Sequence, residues 1–272
     1  MNREARRGGL LYWLNGIPMR LLMKRLGLLL AATLACSAHG LVAAQDYERE
    51  ARWAQETLAG LVAGEAVQIE QKNGHKFLAL YTPAVNPRGA VIVAHGRGWG
   101  PDFELYGVLR TLLADAGYST LSIQLPVLPG TAKIGDYLPM FPDSSERFAL
   151  AAAWLHAKGH QKVAIVSHSL GATMANQYLI TTPNPAVDAW VFISIINGLE
   201  DMFRIKIPVL DVFGTLDWQV TRYGADERRA QILKIAGSQQ VIIQGAEHFF
   251  DQQHEELTRV IVTFLDRVLP PK

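Results

Sequence analysis

The sequence is almost without cysteine: Cys36 is the single thiol in 272 residues. Removal of the leader described below leaves none, so neither a disulfide framework nor a cysteine nucleophile enters the reading. Charge of one sign is equally scarce. The 26 Lys and Arg balance 25 Asp and Glu, so composition gives no electrostatic case for nucleic acid or for an anionic membrane surface. Internal repeats and low-complexity tracts are absent. The apolar share is 49%, with 23 glycines and 13 prolines spread along the chain, which excludes disordered and fibrous classes and fits a globular protein with many turns. No zincin or phosphate-loop motif occurs. Glu247, His248 and His254 do not make a metal site, because the two histidines are six positions apart and would face different sides of a helix.

What is present begins with a targeting pattern at residues 1–44. Basic Arg20, Lys24 and Arg25 precede an apolar run, 26–35, too short to span a bilayer comfortably. Val42-Ala43-Ala44 offers the small side chains that a signal peptidase reads, so cleavage is expected before Gln45, with a cut after Gly40 as the alternative. Met19 and Met23 are alternative starts to Met1, since the stretch before them, with Arg6-Arg7, only lengthens the basic region. The expected destination is the periplasm. Lipidation at Cys36 is the competing outcome, disfavoured because Thr33 stands where a lipoprotein box has an aliphatic residue. The leader holds six basic and one acidic side chain, so the mature chain, 45–272, has a net charge near −4 and contains no membrane span. Its length suits one domain, since single cores stop growing near roughly 250–300 residues.

Residues 46–61 carry Trp53, Leu58 and Leu61 among charges at helical spacing, the pattern of a peripheral helix. Two runs, 67–71 and 76–81, flank Asn73-Gly74, the pair that most readily forms a type I′ hairpin turn. After Pro87 the pattern becomes continuous apolar strands at 90–94, 119–125, 162–166, 189–195, 209–213 and 240–243, which read as buried on both faces. Helical segments at 103–116, 145–158, 170–181, 221–236 and 250–268 lie between and after them. Such alternation predicts a mostly parallel sheet with helices on both sides. Residues 125–144 contain four prolines and predict an irregular loop, while 197–207 is too short for an added lid domain.

Ser167-His168-Ser169-Leu170-Gly171 follows an apolar strand and opens a helical segment rich in small residues. Strand, sharp turn and helix make the setting of a nucleophile elbow, with Ser169 as the nucleophile and small residues at 167 and 171. A serine hydroxyl needs a base. His248 lies just after the last strand, where a loop can carry it over the sheet edge. The base needs a carboxylate to hold its tautomer, and Asp217, in the glycine-bearing turn after the penultimate strand, is the choice. Asp211 sits inside a strand and is less able to reach, and Glu200 and Asp201 are second-choice positions. Two oxyanion donors are expected, the amides of Leu170 and of Arg97, the latter in His95-Gly96-Arg97-Gly98-Trp99-Gly100. Trp99 is the candidate substrate contact. These glycines are spaced G-x-G-x-G, short of the dinucleotide fingerprint, and no acidic residue closes a second strand near Ile123, so no cofactor is called for. His95 and His168 read as neighbours of the site.

Taken together, His95-Gly96, the Ser-His-Ser-Leu-Gly elbow, Asp217 and His248 resemble the α/β-hydrolase superfamily over residues 67–269. The resemblance implies a mostly parallel twisted sheet with an N-terminal antiparallel hairpin, helices on both faces and no large lid domain. Residues 95–102 with 121–127 are similar to an uncharacterised bacterial family of exported α/β-hydrolase-like proteins, which implies a fold and no substrate. Ser167 departs from the glycine most members carry. The expected function is hydrolysis of a small-molecule carboxylester at an open site roofed by residues 126–142 and Trp99. Acyl transfer would use the same residues. The reading from a different class is a non-catalytic periplasmic binding or assembly protein, since fold does not fix function.

Overall fold

A computed structural model describes residues 45–196 and 199–270; the leader read at 1–44, with Cys36, lies outside the described residues. Apolar, β-branched runs form one eight-stranded sheet: β1 (Glu65–Glu70), β2 (Lys76–Thr82), β3 (Gly89–Ala94), β4 (Tyr118–Ile123), β5 (Val163–His168), β6 (Ala189–Ile193), β7 (Val209–Gly214) and β8 (Gln239–Ile243). Their spatial order is β1-β2-β4-β3-β5-β6-β7-β8. β1 and β2 run antiparallel to each other and β2 runs antiparallel to β4, whereas every later pairing is parallel. The C-terminal ends of β3 to β8 therefore share one rim.

Alternation along the strands divides the core between two layers. Ala90, Ile92 and Ala94 face one layer with α3 (Phe141–Ala157) and α4 (Leu170–Thr181), through Phe148, Leu155, Met174 and Tyr178. Val91 and Val93 face the other with α2 (Leu105–Asp115) and α7 (His254–Val268), through Leu109, Leu113, Ile261 and Phe264. The expected α/β-hydrolase architecture is thus present, with helices on both faces. Between β6 and β7 the described chain holds one short 3-10 turn, Met202–Arg204. Among the described residues no helix is long and apolar enough to cross a membrane.

Several local expectations are corrected. The β1–β2 connection is a turn closed by the Gly74 amide on the Gln71 carbonyl at 2.9 Å, and only Gly74 takes a positive φ, 84°, so the type I′ turn at Asn73-Gly74 is not formed. Asn73 instead accepts the His75 amide at 2.9 Å, the local bond that competes with the tighter hairpin. The segment 125–144 is only partly a loop. Residues Ile134–Met140 form a 3-10 helix and α3 starts at Phe141, because Pro142 falls in the first turn, where a helix needs no N–H from it. The helix expected over 221–236 is broken at Gly224 into α5 (Gln219–Tyr223) and α6 (Ala225–Ile232). β8 is an edge strand and is half exposed rather than buried on both faces.

The first helix, α1 (Tyr47–Gly60), is peripheral as expected, with Glu50 its one buried residue. Asp46 caps it by accepting the Arg49 amide at 2.9 Å. Glu50, 3% exposed, accepts Arg147 of α3 at 2.8 Å, and Arg147 also donates to Gln71 and to the Gln124 carbonyl, both at 2.9 Å. One buried guanidinium thereby ties α1, the hairpin and the chain leaving β4 together at the sheet rim. A buried carboxylate and guanidinium persist only when paired and hydrogen-bonded in this way.

Candidate active site

β5 delivers Ser169 to the rim. The residue has φ 54°, a left-handed conformation that a non-glycine residue adopts at local cost, and the chain turns there directly into α4. Crowding explains the small neighbours: a Cβ at Gly171 would lie 2.2 Å from the His95 carbonyl oxygen. The serine at 167 is accommodated, its hydroxyl donating to the Val191 carbonyl at 3.3 Å and accepting Trp190 Nε1–H at 2.9 Å.

The turn after β7 and the loop after β8 are stitched together before either side chain is considered. The Thr215 amide donates to the Ile243 carbonyl and the Leu216 amide to the Ala246 carbonyl, both at 3.0 Å. The Gly245 amide donates to Thr215 Oγ1 at 2.8 Å. Gly214 is needed for this approach, since a Cβ there would stand 2.0 Å from the Ala246 oxygen. The stitching sets Asp217 against His248: Nδ1 lies 2.7 Å from Asp217 Oδ1 and Nε2 lies 3.1 Å from Ser169 Oγ. A carboxylate only accepts, so Nδ1 carries the proton and Nε2 is free to accept from the serine. All three residues are buried, Ser169 retaining 6% exposure.

Burial alone would push the Asp217 carboxyl up, but hydrogen bonds from His248 and Ser194, the imidazole charge and the Trp218 amide outweigh it and hold the carboxyl below its usual range. Two of these partners were not singled out in the sequence. Ser194, at φ 51°, directly follows β6 and donates to Asp217 Oδ2. Trp218 gives its amide to Oδ1 at 2.6 Å and stacks its ring on the His248 imidazole at 3.6 Å and 7°. The only signal in the sequence was position: one is the polar break in an apolar strand, the other the residue after the chosen aspartate.

His95 and His168 are buried beside these groups. His95 Nδ1 donates to the Gly96 carbonyl at 2.7 Å, and Nε2 accepts the Leu125 amide at 2.9 Å, fixing the loop after β3 to the chain leaving β4. The Gly96 amide donates to Tyr106 Oη at 2.8 Å, Tyr106 donates to His168 Nδ1 at 2.8 Å, and His168 Nε2 donates to the His248 carbonyl at 2.9 Å. Burial is the first cause that lowers both histidines, His95 to about 4 and His168 to about 3. For His168 the charge of neighbouring His248 adds to it, whereas for His95 the Gly96 carbonyl opposes.

Both histidines therefore bind protons more weakly folded than unfolded. The unfolded chain takes up more protons below about pH 6.5, so stability is full above that value and is lost as pH falls towards 4. Asp211, raised by burial against the pull of Arg228, works in the opposite sense and trims the loss. Going from pH 7 to pH 5 is expected to cost about 2–4 kcal/mol of unfolding free energy, read from urea midpoints at the two values. Coincident midpoints would contradict a neutral, buried pair.

The other acidic candidates are occupied elsewhere. Asp211 pairs with Arg228 at 2.9 Å and accepts Gln240 at 2.8 Å. The Glu200 backbone is bonded to Asn176, and Asp201 pairs with Arg204 at the surface. The Leu170 amide is in the first turn of α4, where helix N–H groups lack intrahelical acceptors. Gly96 lies alongside the serine, a Cβ there meeting Ser169 Cβ at 3.2 Å, and its own amide is engaged by Tyr106. Arg97 follows it. Trp99 stacks on Phe103 at 3.9 Å and 13° and meets Phe249 edge-on. It lines a cavity of about 350 Å³ shared with Trp53 and Thr57 of α1. A larger cavity, about 570 Å³, lies between the Met202–Arg204 turn and Ile235 and includes none of Ser169, Asp217 and His248.

Comparison with known proteins gives the same fold. A family described as "Protein of unknown function (DUF3530)" matches residues 27–137, less than half of the chain. No curated protein matches it. Among solved structures, a dienelactone hydrolase from Anabaena variabilis is similar at 20% identity and TM-score 0.60, covering 75% of this chain and 97% of its own. A serine hydrolase without lid from Xanthomonas campestris is similar at 17% identity and TM-score 0.60, covering 78% and 98%. An esterase from Pyrococcus furiosus is similar at 15% identity and TM-score 0.62, covering 75% and 92%. The chain has the α/β-hydrolase fold.

Proposed function

We propose that the protein is a serine hydrolase of carboxylesterase type. Ser169 acts as nucleophile, His248 as general base and Asp217 as the carboxylate that orients it, with the Leu170 and Arg97 amides as oxyanion donors. The observation that carries the reading is the continuous chain Ser169 Oγ, His248 Nε2, His248 Nδ1, Asp217 Oδ1 at 3.1 and 2.7 Å, starting at a serine held at φ 54°.

The chemistry follows from that order. His248 Nε2 takes the Ser169 proton while Oγ bonds to the ester carbonyl carbon, and the carbonyl electrons move to oxygen. The oxyanion is held by the Leu170 amide at the positive end of α4 and by the Arg97 amide of the loop after β3. Nε2–H then protonates the departing alkoxide, leaving an acyl-enzyme. Water attacks with His248 again as base, releasing the acid and restoring Ser169. Asp217 stabilises the transient imidazolium, and the parallel Trp218 ring adds its electron-rich face to that cation. The reaction needs no cofactor, and a small ester is the substrate. The bonds through Tyr106 and His168 link the Gly96 loop to the His248 backbone.

This reading takes residues 1–44 as an export leader. Every described strand and helix begins after Gln45, so processing before Gln45 removes none of the groups named above.

The test is covalent capture. A fluorophosphonate probe is expected to label the purified protein at Ser169, identified by peptide mass, and prior incubation with an aryl ester is expected to slow labelling. Absence of labelling across probes of different size, or a label at another serine, would reject the proposal.

A further inference from the structure

We propose that Arg49, Arg97 and the Tyr137 hydroxyl form a carboxylate-binding subsite beside the nucleophile, so that the preferred esters carry a negative charge away from the scissile bond. This deepens the esterase reading and, as a statement about substrate, rests on it.

A cavity of about 160 Å³ is lined by Arg49 of α1, Arg97 of the loop after β3, and Pro129, Gly130, Ala132 and Tyr137 of the segment after β4. Each guanidinium is steadied by one carbonyl of the same short stretch: Arg49 donates to Leu128 at 2.8 Å and Arg97 to Ala132 at 3.1 Å. Arg49 also lies over the Trp53 ring, 4.4 Å from its centroid. An arginine has five N–H donors. Among the described residues neither Arg49 nor Arg97 has a carboxylate partner.

The acids nearby are committed elsewhere. Glu50 pairs with Arg147 and His75, Asp46 caps α1, and Asp136 accepts the Lys133 amide at 2.7 Å. Both arginine charges are felt at Tyr137, where they oppose the rise that burial imposes on its hydroxyl. That hydroxyl accepts the Leu128 amide at 3.3 Å and keeps its own proton to donate. Two guanidinium groups and a hydroxyl thus converge on one cavity with donors left over, in residues 45–272 whose net charge is near −4. A planar fork of N–H donors suits a carboxylate. The tie to the nucleophile is through the chain: Arg97 follows Gly96, where an added Cβ would stand 3.2 Å from Ser169 Cβ.

The experiment compares kcat/KM for p-nitrophenyl hexanoate and for mono-p-nitrophenyl adipate, equal in chain length and differing by one carboxylate. The wild type is expected to favour the adipate ester, and Arg49→Gln to lower that preference about ten-fold, the worth of a charge-assisted bond at a partly exposed site. Arg49→Lys keeps the charge without the fork and is expected to fall between. Adipate itself is expected to raise the melting temperature of the wild type and not that of Arg49→Gln, a readout independent of turnover. An unchanged preference in active, folded variants, or no adipate binding by the wild type, overturns the subsite and leaves the esterase reading standing. Adipate binding that depends on Arg49, with neither ester turned over, upholds the subsite and rejects the esterase reading.

Discussion

Ser169→Ala is expected to lower turnover of p-nitrophenyl butyrate by about 10⁴–10⁶-fold, the range seen when a triad nucleophile is removed, while the protein keeps its fold. The two halves of this expectation come from different observations. The hydroxyl is the one Ser169 group bonded to His248, at 3.1 Å. The backbone that makes the turn does not depend on it: the Ser169 amide donates to the Ile193 carbonyl at 2.9 Å, and the Ser169 carbonyl accepts the Ala172 amide at 3.0 Å. Alanine retains a Cβ, so the strain at φ 54° is the same in both proteins, and the substitution loses one half-satisfied hydrogen bond, worth about 1 kcal/mol. The melting temperature should therefore move little. Turnover within a factor of a few of wild type, in a pure folded variant, would end the assignment of Ser169.

The three side chains are legible in the sequence because of what each depends on. Strand, sharp turn and helix around Ser169 are local, and continuous apolar runs such as 163–166 and 189–193 make the sheet legible. Chain order then points to the loops after β7 and β8. What surrounds them was not legible, because it is built from distant residues. The Glu50–Arg147 pair joins positions 97 apart, and neither residue stands out from other charged helical positions. Trp218 and Ser194 take their meaning only from where Asp217 and His248 come to rest. The misread turns share a different cause. Asn73-Gly74 and the prolines at 139 and 142 each permit two local conformations, and the choice was made by register with β2 and by the packing of α3 onto the core.

Asp217→Asn is expected to reduce kcat by about 10³-fold with little change in KM, somewhat less than the roughly 10⁴-fold loss of a triad whose histidine is left in the wrong tautomer. The difference follows from two neighbours. In the native site Oδ1 accepts both His248 Nδ1–H at 2.7 Å and the Trp218 amide at 2.6 Å, while Oδ2 accepts the Ser194 hydroxyl. An amide nitrogen at the Oδ1 position would face the Trp218 N–H, donor against donor. Turned the other way, it faces Ser194, whose hydroxyl can rotate to accept it. The asparagine oxygen is thus held towards His248, Nδ1 keeps its proton and Nε2 stays ready to accept from Ser169. What is lost is the negative charge that stabilises the imidazolium, a group buried with its carboxylate and stacked on Trp218. Adding Ser194→Ala to Asp217→Asn removes the acceptor that orients the amide, and the double variant is expected to drop a further order of magnitude or so, towards the wrong-tautomer value. A single variant that keeps near-native kcat would show that no carboxylate is needed at this position, and a loss confined to KM would place Asp217 in binding rather than in orienting the base.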